Sequence, residues 1–488
     1  MLKRIATAAL ALALLLSTFA FGSSSAFAQR SSTAVPGVWL SAILIQNTST
    51  ASADVSINFF DSAGALQKTY TPAALAAGKS LTIVVPQAIP TLAAGQYSAV
   101  VSSTQKVIAS VQTSSVSQAT GPWTAFAYEG VDSTSAATKL FFPAEFNNYY
   151  GFYSELVIQN TSDTDSTNLS VSFYKADGTQ IGTAVSLGAL PKNSAKTFAT
   201  SDAVFASAGL PTGASGLFGA VVTSSATAIA GITNVWAAGT ATSAAKTASY
   251  NAFTTGSTTL YAPNLMNSYY GFGSALSIQN IDQTNRAAGT ITYSNGSSET
   301  FDLAPNAAAT FLQFKRTNIT LPTGTAGSFS AKAVATTGSI VGIVGFSLPP
   351  ELNGNVAKGD YAYYNCPSVA APSVNIPNIL SNYYGLFTGV SVQNTGTLAT
   401  DITLTYEGGQ TWTITGVQPN GVANFLHLPS IAKNPLGANS SVSAVASSSN
   451  AQGLVAVIQH NTERSLAGYS AAKQPSDFLH VFTATPKL

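Results

Sequence analysis

Three histidines, one cysteine and 19 carboxylates are all that a chain of 488 residues offers for acid–base, nucleophilic or metal chemistry. The histidines, His427, His460 and His480, all stand near the C-terminal end. No nucleophile elbow or metal-spaced pair accompanies them. A hydrolase would need a polar cleft around His427 and His460. His460, in AVIQHNTER at the end of a predicted strand, reads as solvated. So few carboxylates leave little room for the paired acids of a glycosidase. Asp163 and Asp165, in TSDTDST, are a pair that would hold calcium weakly with loop carbonyls, and the other repeats lack it. Cys366, in YAYYNCPSV, reads as a packed or unpaired thiol or, in an exported chain, as half of an intermolecular disulfide. These residues predict a non-enzymatic protein with no cofactor and no metal.

The recurrent signal is aromatic. PAEFNNYYGFYSELVIQN at 143–160 returns without gaps as PNLMNSYYGFGSALSIQN at 263–280 and PNILSNYYGLFTGVSVQN at 377–394. A catalytic motif occurs once, whereas a building block recurs. The candidate ligand or junction residues are Tyr149, Tyr150, Tyr269, Tyr270, Tyr383 and Tyr384. Three readings stand. One tyrosine of each pair plugs the sandwich end while the other packs on the preceding domain. Exposed rings form a platform for sugars, using an aromatic face and a polar handle. Or the loops self-associate. The closing Gln-Asn reads as structural: Asn starts a turn by bonding its own backbone, and Gln bonds across the strand end. Pro143, Pro263 and Pro377 are expected to stop a strand or hold it at an edge.

The elements around these phrases set the architecture. Asn47, Asn160, Asn280 and Asn394 each close an apolar stretch and lie 113, 120 and 114 residues apart, a domain-sized period. After each comes an alternating strand (DVSINFF, LSVSFYK, GTITYS, DITLTYE) that reaches a tight-turn signal. A turn-and-strand element, a Gly- or Asn-led strand and a final apolar strand follow. About seven short strands per unit with period-two patterning predict two antiparallel sheets packed face to face. The fold class is therefore all-β: four tandem immunoglobulin-like sandwiches after a signal peptide. The expected boundaries are 1–28 for the signal peptide, then 29–138, 139–258, 259–372 and 373–488. A propeller or a single β-solid is the alternative, with units long for blades. Short linkers follow the aromatic segments, so neighbouring domains should touch.

The ends depart from the pattern. The first repeat has Pro36 and Gly37 but no Tyr-Tyr phrase, so its opening loop is shortened. The last repeat is followed by SDFLHVFTATPKL, which predicts a surplus strand. That strand covers an edge of the fourth domain or is donated to the first domain of another molecule. At the other end, Lys3 and Arg4 precede an apolar run, and Ala26-Phe27-Ala28 forms a small-x-small cleavage site. This is the pattern of a secretory signal peptide, and it predicts a secreted or cell-surface protein with no membrane insertion after cleavage.

Charged residues make up 8% of the chain and the formal net charge is +1, which excludes the clustered cations that nucleic acid requires. Hydrophobic residues at 45% exclude a disordered chain. A surface of Ser, Thr, Ala, Gly and Asn repels its copies weakly and suits assembly. Residues 35–475, with their YYG…VQN and LxPxxxxxF phrases, resemble the exported tandem β-sandwich repeat proteins of bacteria. The resemblance implies an extracellular or cell-surface role and no particular activity. The expected function is structural or adhesive, with the chain itself or other surface components as partners. The alternative is a carbohydrate-binding array with glycans as partners.

Overall fold

The computed structural model describes residues 38–116, 125–238, 246–349, 352, 361–383, 386–462 and 480–487. The signal-peptide segment and Tyr384 lie outside the described residues. No helix among them is long and apolar enough to cross a membrane.

Unit 1 holds β1 (Val38–Asn47), β2 (Val55–Phe60), β3 (Leu66–Tyr70), β4 (Ser80–Val84), β5 (Ser98–Ser103), β6 (Val107–Val116) and β7 (Ala125–Glu129). Unit 2 holds β8 (Lys139–Tyr149), β9 (Phe152–Asn160), β10 (Thr167–Tyr174), β11 (Gln180–Leu190), β12 (Ala195–Ala199), β13 (Leu217–Ser224), β14 (Ile229–Ala237) and β15 (Lys246–Asn251). Unit 3 repeats this with β16 (Thr259–Tyr269), β17 (Phe272–Asn280), β18 (Ala287–Tyr293), β19 (Ser298–Leu303), β20 (Ala308–Leu312), β21 (Ser328–Ala335), β22 (Ile340–Ser347) and β23 (Tyr361–Asn365). Unit 4 has β24 (Ser373–Ser381), β25 (Leu386–Asn394), β26 (Thr400–Tyr406), β27 (Thr411–Val417), β28 (Val422–Leu426), β29 (Ser440–Ser448), β30 (Leu454–Thr462), β31 (His480–Thr483) and the short β32 (Thr485–Pro486).

Each unit is an antiparallel two-sheet sandwich, and units 2 to 4 share one strand order. In unit 2 the sheets run β11-β10-β13-β8 and β12-β9-β14-β15, and units 3 and 4 repeat both. The alternating patterns face the core as expected: Leu169, Val171 and Phe173 of β10 are buried, as are Ile402, Leu404 and Tyr406 of β26. Unit 1 keeps the sheet β4-β1-β6-β7, but its other sheet is only β3-β2-β5. Among the described residues, none supplies unit 1 with the opening strand that β8, β16 and β24 give the later units.

Pro143, Pro263 and Pro377 do not stop their strands. Each lies inside an opening strand at a register break: between the pairs of Phe218 and Ala220, of Ala262 and Leu265, and of Ile376 and Ile379. A bulge tolerates the missing N–H. It also frees the next carbonyl, which the core must satisfy. Tyr250 Oη donates to Ala144 O at 2.8 Å and Tyr364 Oη to Asn264 O at 2.6 Å. In unit 4 a phenylalanine, Phe482, stands where those tyrosines stand, and His460 Nε2 meets Asn378 O at 3.3 Å instead.

The four units close into a ring. The innermost strands β7, β15, β23 and β31 contact one another in succession, and β31 contacts β7. Asn251 Nδ2 donates to Glu129 O at 2.7 Å, and Glu129 N donates to Asn251 Oδ1 at 3.0 Å. Asn365 makes the same pair of bonds to Asn251 O and N. Thr483 closes the circle, giving its N–H and Oγ1–H to Glu129 Oε1 at 2.7 and 2.6 Å. A second layer of contacts repeats around the ring. Ser98 Oγ donates to Asn193 O, Ser330 Oγ to Asn420 O at 2.5 Å and Ser443 Oγ to Gly78 O at 3.3 Å. Gly219 takes the serine's place against Asn306. The acceptors Gly78, Asn193, Asn306 and Asn420 all sit at positive φ in the same turn, which tips their carbonyls toward the preceding unit.

β31 pairs with β30 as β15 pairs with β14, and β32 pairs with β24. The C-terminal strand is thus the fourth unit's own edge, seated in the same chain, and it is not free for donation to another molecule.

Candidate functional site: the tyrosine hairpins

β8 and β9 meet at a two-residue turn, with Tyr149 opposite Phe152. Its central residues, Tyr150 and Gly151, have φ of +50° and +89°; Tyr270 and Gly271 have +49° and +85°. Positive φ at both central positions is the signature of a type I′ hairpin, where Asn-Gly is the usual pair. Tyr383 and Leu386 exchange both backbone hydrogen bonds, at 2.9 and 3.1 Å, and are paired as Tyr149 is with Phe152. A left-handed tyrosine costs roughly 1–2 kcal/mol, and strain of this kind persists where the surroundings or the function hold it. The residue before each tyrosine pair, Asn148, Ser268 or Asn382, is also left-handed, and Asn148 and Ser268 each sit at a register shift.

The two tyrosines of a pair part company. Tyr149 is half-buried and packs on Phe146 at 5.7 Å between ring centroids. Tyr269 packs likewise on the core of unit 3. Tyr150 is 72% exposed and Tyr270 53%. Each stands edge-on to its neighbour at 4.8 Å, so the buried ring props the exposed one. Tyr383 is half-buried like its counterparts. Because each unit meets the next through the same surfaces around a closed ring, the hairpins of units 2 and 3 and Tyr383 of unit 4 lie on one rim.

Replacing Tyr150 by Asn installs the preferred type I′ pair. It should raise stability by about 1 kcal/mol, read as a higher Tm by calorimetry.

Gln-Asn is a structural pair. Asn47, Asn160, Asn280 and Asn394 are fully buried, and each side chain bonds the loop it opens. Gln393 Nε2 reaches across the junction to Ala331 O of unit 3. Cys366 is buried in the core of unit 3, and burial pushes its thiol up, closing it to intermolecular pairing.

His460 corrects the expectation of a solvated strand end. It is buried between unit 4 and unit 1, where Gln112 Nε2 bonds its Nδ1 at 3.1 Å. Its Nε2–H is committed to the bulge carbonyl of Asn378. His427 is equally enclosed: Nδ1 donates to Thr388 O at 2.9 Å and Nε2 accepts from Tyr406 Oη at 2.7 Å. Sequence reasoning misplaced His460 because Gln112 and Asn378, which engage its ring, lie 348 and 82 residues away in the chain. Burial pushes both histidines down to about 4. Below pH 6.5 the unfolded chain takes up protons that the folded one refuses, so stability falls as pH drops toward 4. The loss should reach about 3 kcal/mol per histidine at pH 4, measured by denaturant titration at stepped pH.

Glu145 went unremarked in the sequence, although it is a lone acid within KLFFPAEF. It is buried, its Oε1 accepting from Thr233 Oγ1 at 2.6 Å and Tyr250 Oη at 2.8 Å, and burial pushes it up to about 7. Its contribution has the opposite sign, present below pH 4.5 and lost as pH rises through 7.

No protein-family model and no curated protein matches the chain. Among solved structures it is similar to one described as the crystal structure of a tetra-tandem repeat in the extending region of a large adhesion protein. The two are 12% identical over 91% of this chain and 95% of that one, with a TM-score of 0.10, a likeness too slight to argue from.

Proposed function

We propose that this chain is a non-enzymatic structural or adhesive protein of the cell exterior, a closed four-unit platform that presents tyrosine hairpins along one rim. The observation that carries the reading is the pair of exposed, left-handed tyrosines Tyr150 and Tyr270, held at equivalent turns by buried neighbours. Strained aromatics at solvent-exposed tips serve contact with something outside the fold. The two histidines enclosed in unit 4 are fully engaged in holding its core, which supports a role without catalysis. Its partners are copies of itself or other surface components.

The test replaces Tyr150, Tyr270 and their sequence counterpart Tyr384 with Asn and measures attachment to a cell surface or matrix. Attachment should drop at least about tenfold while the protein stays as stable or gains stability. Unchanged attachment would remove the reading.

A second reading follows from ring chemistry: the exposed rings stack on sugars. A glycan array then shows binding that survives Tyr150→Phe and Tyr270→Phe but not Ala at the same positions. Assembly that depends on protein concentration without glycan binding favours the first reading.

A further inference from the structure

The chain itself crosses three seams of the ring and leaves the fourth to contacts alone. Residues 130–138 join unit 1 to unit 2, 252–258 join unit 2 to unit 3, and 366–372 join unit 3 to unit 4. Units 4 and 1 come from opposite ends of the sequence, and no such connection ties them to each other.

The contacts at that fourth seam are of a different kind. At the seam of units 2 and 3, Ile343 and Tyr363 of unit 3 are buried in the core of unit 2. At the seam of units 3 and 4, Val457 and Val481 of unit 4 enter the core of unit 3 in the same way. At the seam of units 1 and 2, Trp39 and Tyr153 pack against Trp236. No apolar cluster among the described residues spans units 4 and 1. The register gives the reason. Gln46, Gln279 and Gln393 pair with Ile108, Val341 and Val455, so Ser110 of unit 1 is the counterpart of Ile343 and Val457. On the innermost strands, Ala127 is the counterpart of Tyr363 and Val481. Small side chains therefore stand where the other two seams insert large apolar ones. Ser110 is buried and its Oγ has no partner among the described residues, which weakens the seam further.

Polar groups hold units 4 and 1 together instead. Gln112 Nε2 bonds His460 Nδ1 at 3.1 Å, and Thr483 gives its N–H and Oγ1–H to Glu129 Oε1. Ser80 Oγ donates to Pro377 O at 2.9 Å, and Ser443 Oγ to Gly78 O at 3.3 Å. Lys79 Nζ meets Glu407 Oε1 at 2.7 Å, with both side chains reached by solvent. Matched polar groups around a thin apolar centre are the make-up of an interface that parts and re-forms, not of a fused core.

We propose that this seam is a separable interface whose partner is a second copy of this chain, with unit 4 of one molecule docking on unit 1 of the next. The contacts that close the ring within one molecule then form between two. At low concentration closure wins, because the tether through units 2 and 3 holds the two surfaces at an effective concentration on the order of millimolar. In a dense layer of the protein, exchange links molecules head to tail, into rows or into larger closed rings. The inference shares with the reading above only the choice of a copy as partner. It uses no tyrosine hairpin, so attachment lost in the hairpin variants and exchange at the seam are decided separately.

The ion pair at the seam provides the test. A carbodiimide joins the Lys79 amine to the Glu407 carboxylate as an amide, with loss of water and no spacer. Unlabelled and heavy-isotope-labelled full-length protein are mixed in equal amounts, held dilute or concentrated, and cross-linked. The linked Lys79–Glu407 peptide is then weighed by mass spectrometry. Dilute protein should give linked peptides of one isotope alone. Protein held above the effective concentration should give mixed-isotope peptides, rising toward about half of the total as exchange completes. Gln112→Ala removes the bond to His460 and should raise the mixed fraction at least about threefold. Ser110→Val places an apolar group where the other seams bury one and should lower it at least about threefold. Three results overturn the proposal. Single-isotope peptides at every concentration, with and without Gln112→Ala, mean that the seam never parts. A mixed fraction that neither substitution moves means that the molecules meet elsewhere. Absence of the Lys79–Glu407 link in every sample means that units 4 and 1 do not meet.

Discussion

Removing residues 480–487 should open the ring. These residues supply β31 and β32, and their loss strips the edge of β30 and of β24 together. Phe482 is buried in the core of unit 4, and Val481 is packed with the core of unit 3. Glu129 loses both bonds from Thr483. Burial already raises this carboxyl against the lowering effect of those bonds, so without them it is left buried and unpaired, an expensive state. The single change Phe482→Ala isolates the packing contribution and should cost about 3–5 kcal/mol. The truncation should go further and separate the unfolding of unit 4 from the rest, seen as a second, lower transition in calorimetry. A single transition at the original Tm would mean that β31 is not part of the closed core.

Asn280→Ala should be nearly as damaging although it removes no apolar surface. Asn280 Nδ2 serves Asn285 O at 2.8 Å and both Leu303 O and Ala304 O at 3.1 Å, while Oδ1 accepts from Asp282 N at 2.9 Å. Alanine leaves these buried or half-buried backbone groups without partners, at about 1–3 kcal/mol each. A loss of about 3 kcal/mol or more is expected by urea titration, with the equivalent change at Asn47, Asn160 or Asn394 costing the same. A loss below about 1 kcal/mol would show that water replaces the side chain at each loop. The four-fold equivalence is itself a test, because a ligand-binding residue would have no reason to behave alike in every unit.

Much of this was legible in the sequence for a physical reason. Period-two strands such as TNLSVSFY announce a half-buried sheet by themselves, because alternate side chains meet opposite environments. The Asn of each Gln-Asn pair bonds the loop it opens within five residues, which is local and readable, whereas its second bond, to a carbonyl such as Leu190 O or Leu303 O, was not. Features set by contacts across units were not readable. The ring depends on Ser98 meeting Asn193 and Ser443 meeting Gly78, and no sequence pattern reports those distances. Tyr150 shows the limit within a single phrase. The Tyr-Tyr-Gly signal located a turn, but which tyrosine turned outward depended on the bulge at Asn148, whose left-handed backbone shifts the register by one residue. His460 was misplaced because Gln112 and Phe482, which enclose it, come from opposite ends of the chain.

Closure decides how the platform works. A linear array would spread its hairpins along a flexible rod, whereas a ring fixes them on one rim. Small-angle X-ray scattering of the monomer tests this directly. A closed ring of four packed units predicts a radius of gyration of about 23 Å, the value for a compact chain of this length. A linear string of the same four units would give roughly 45 Å, and a value in that range would contradict the ring.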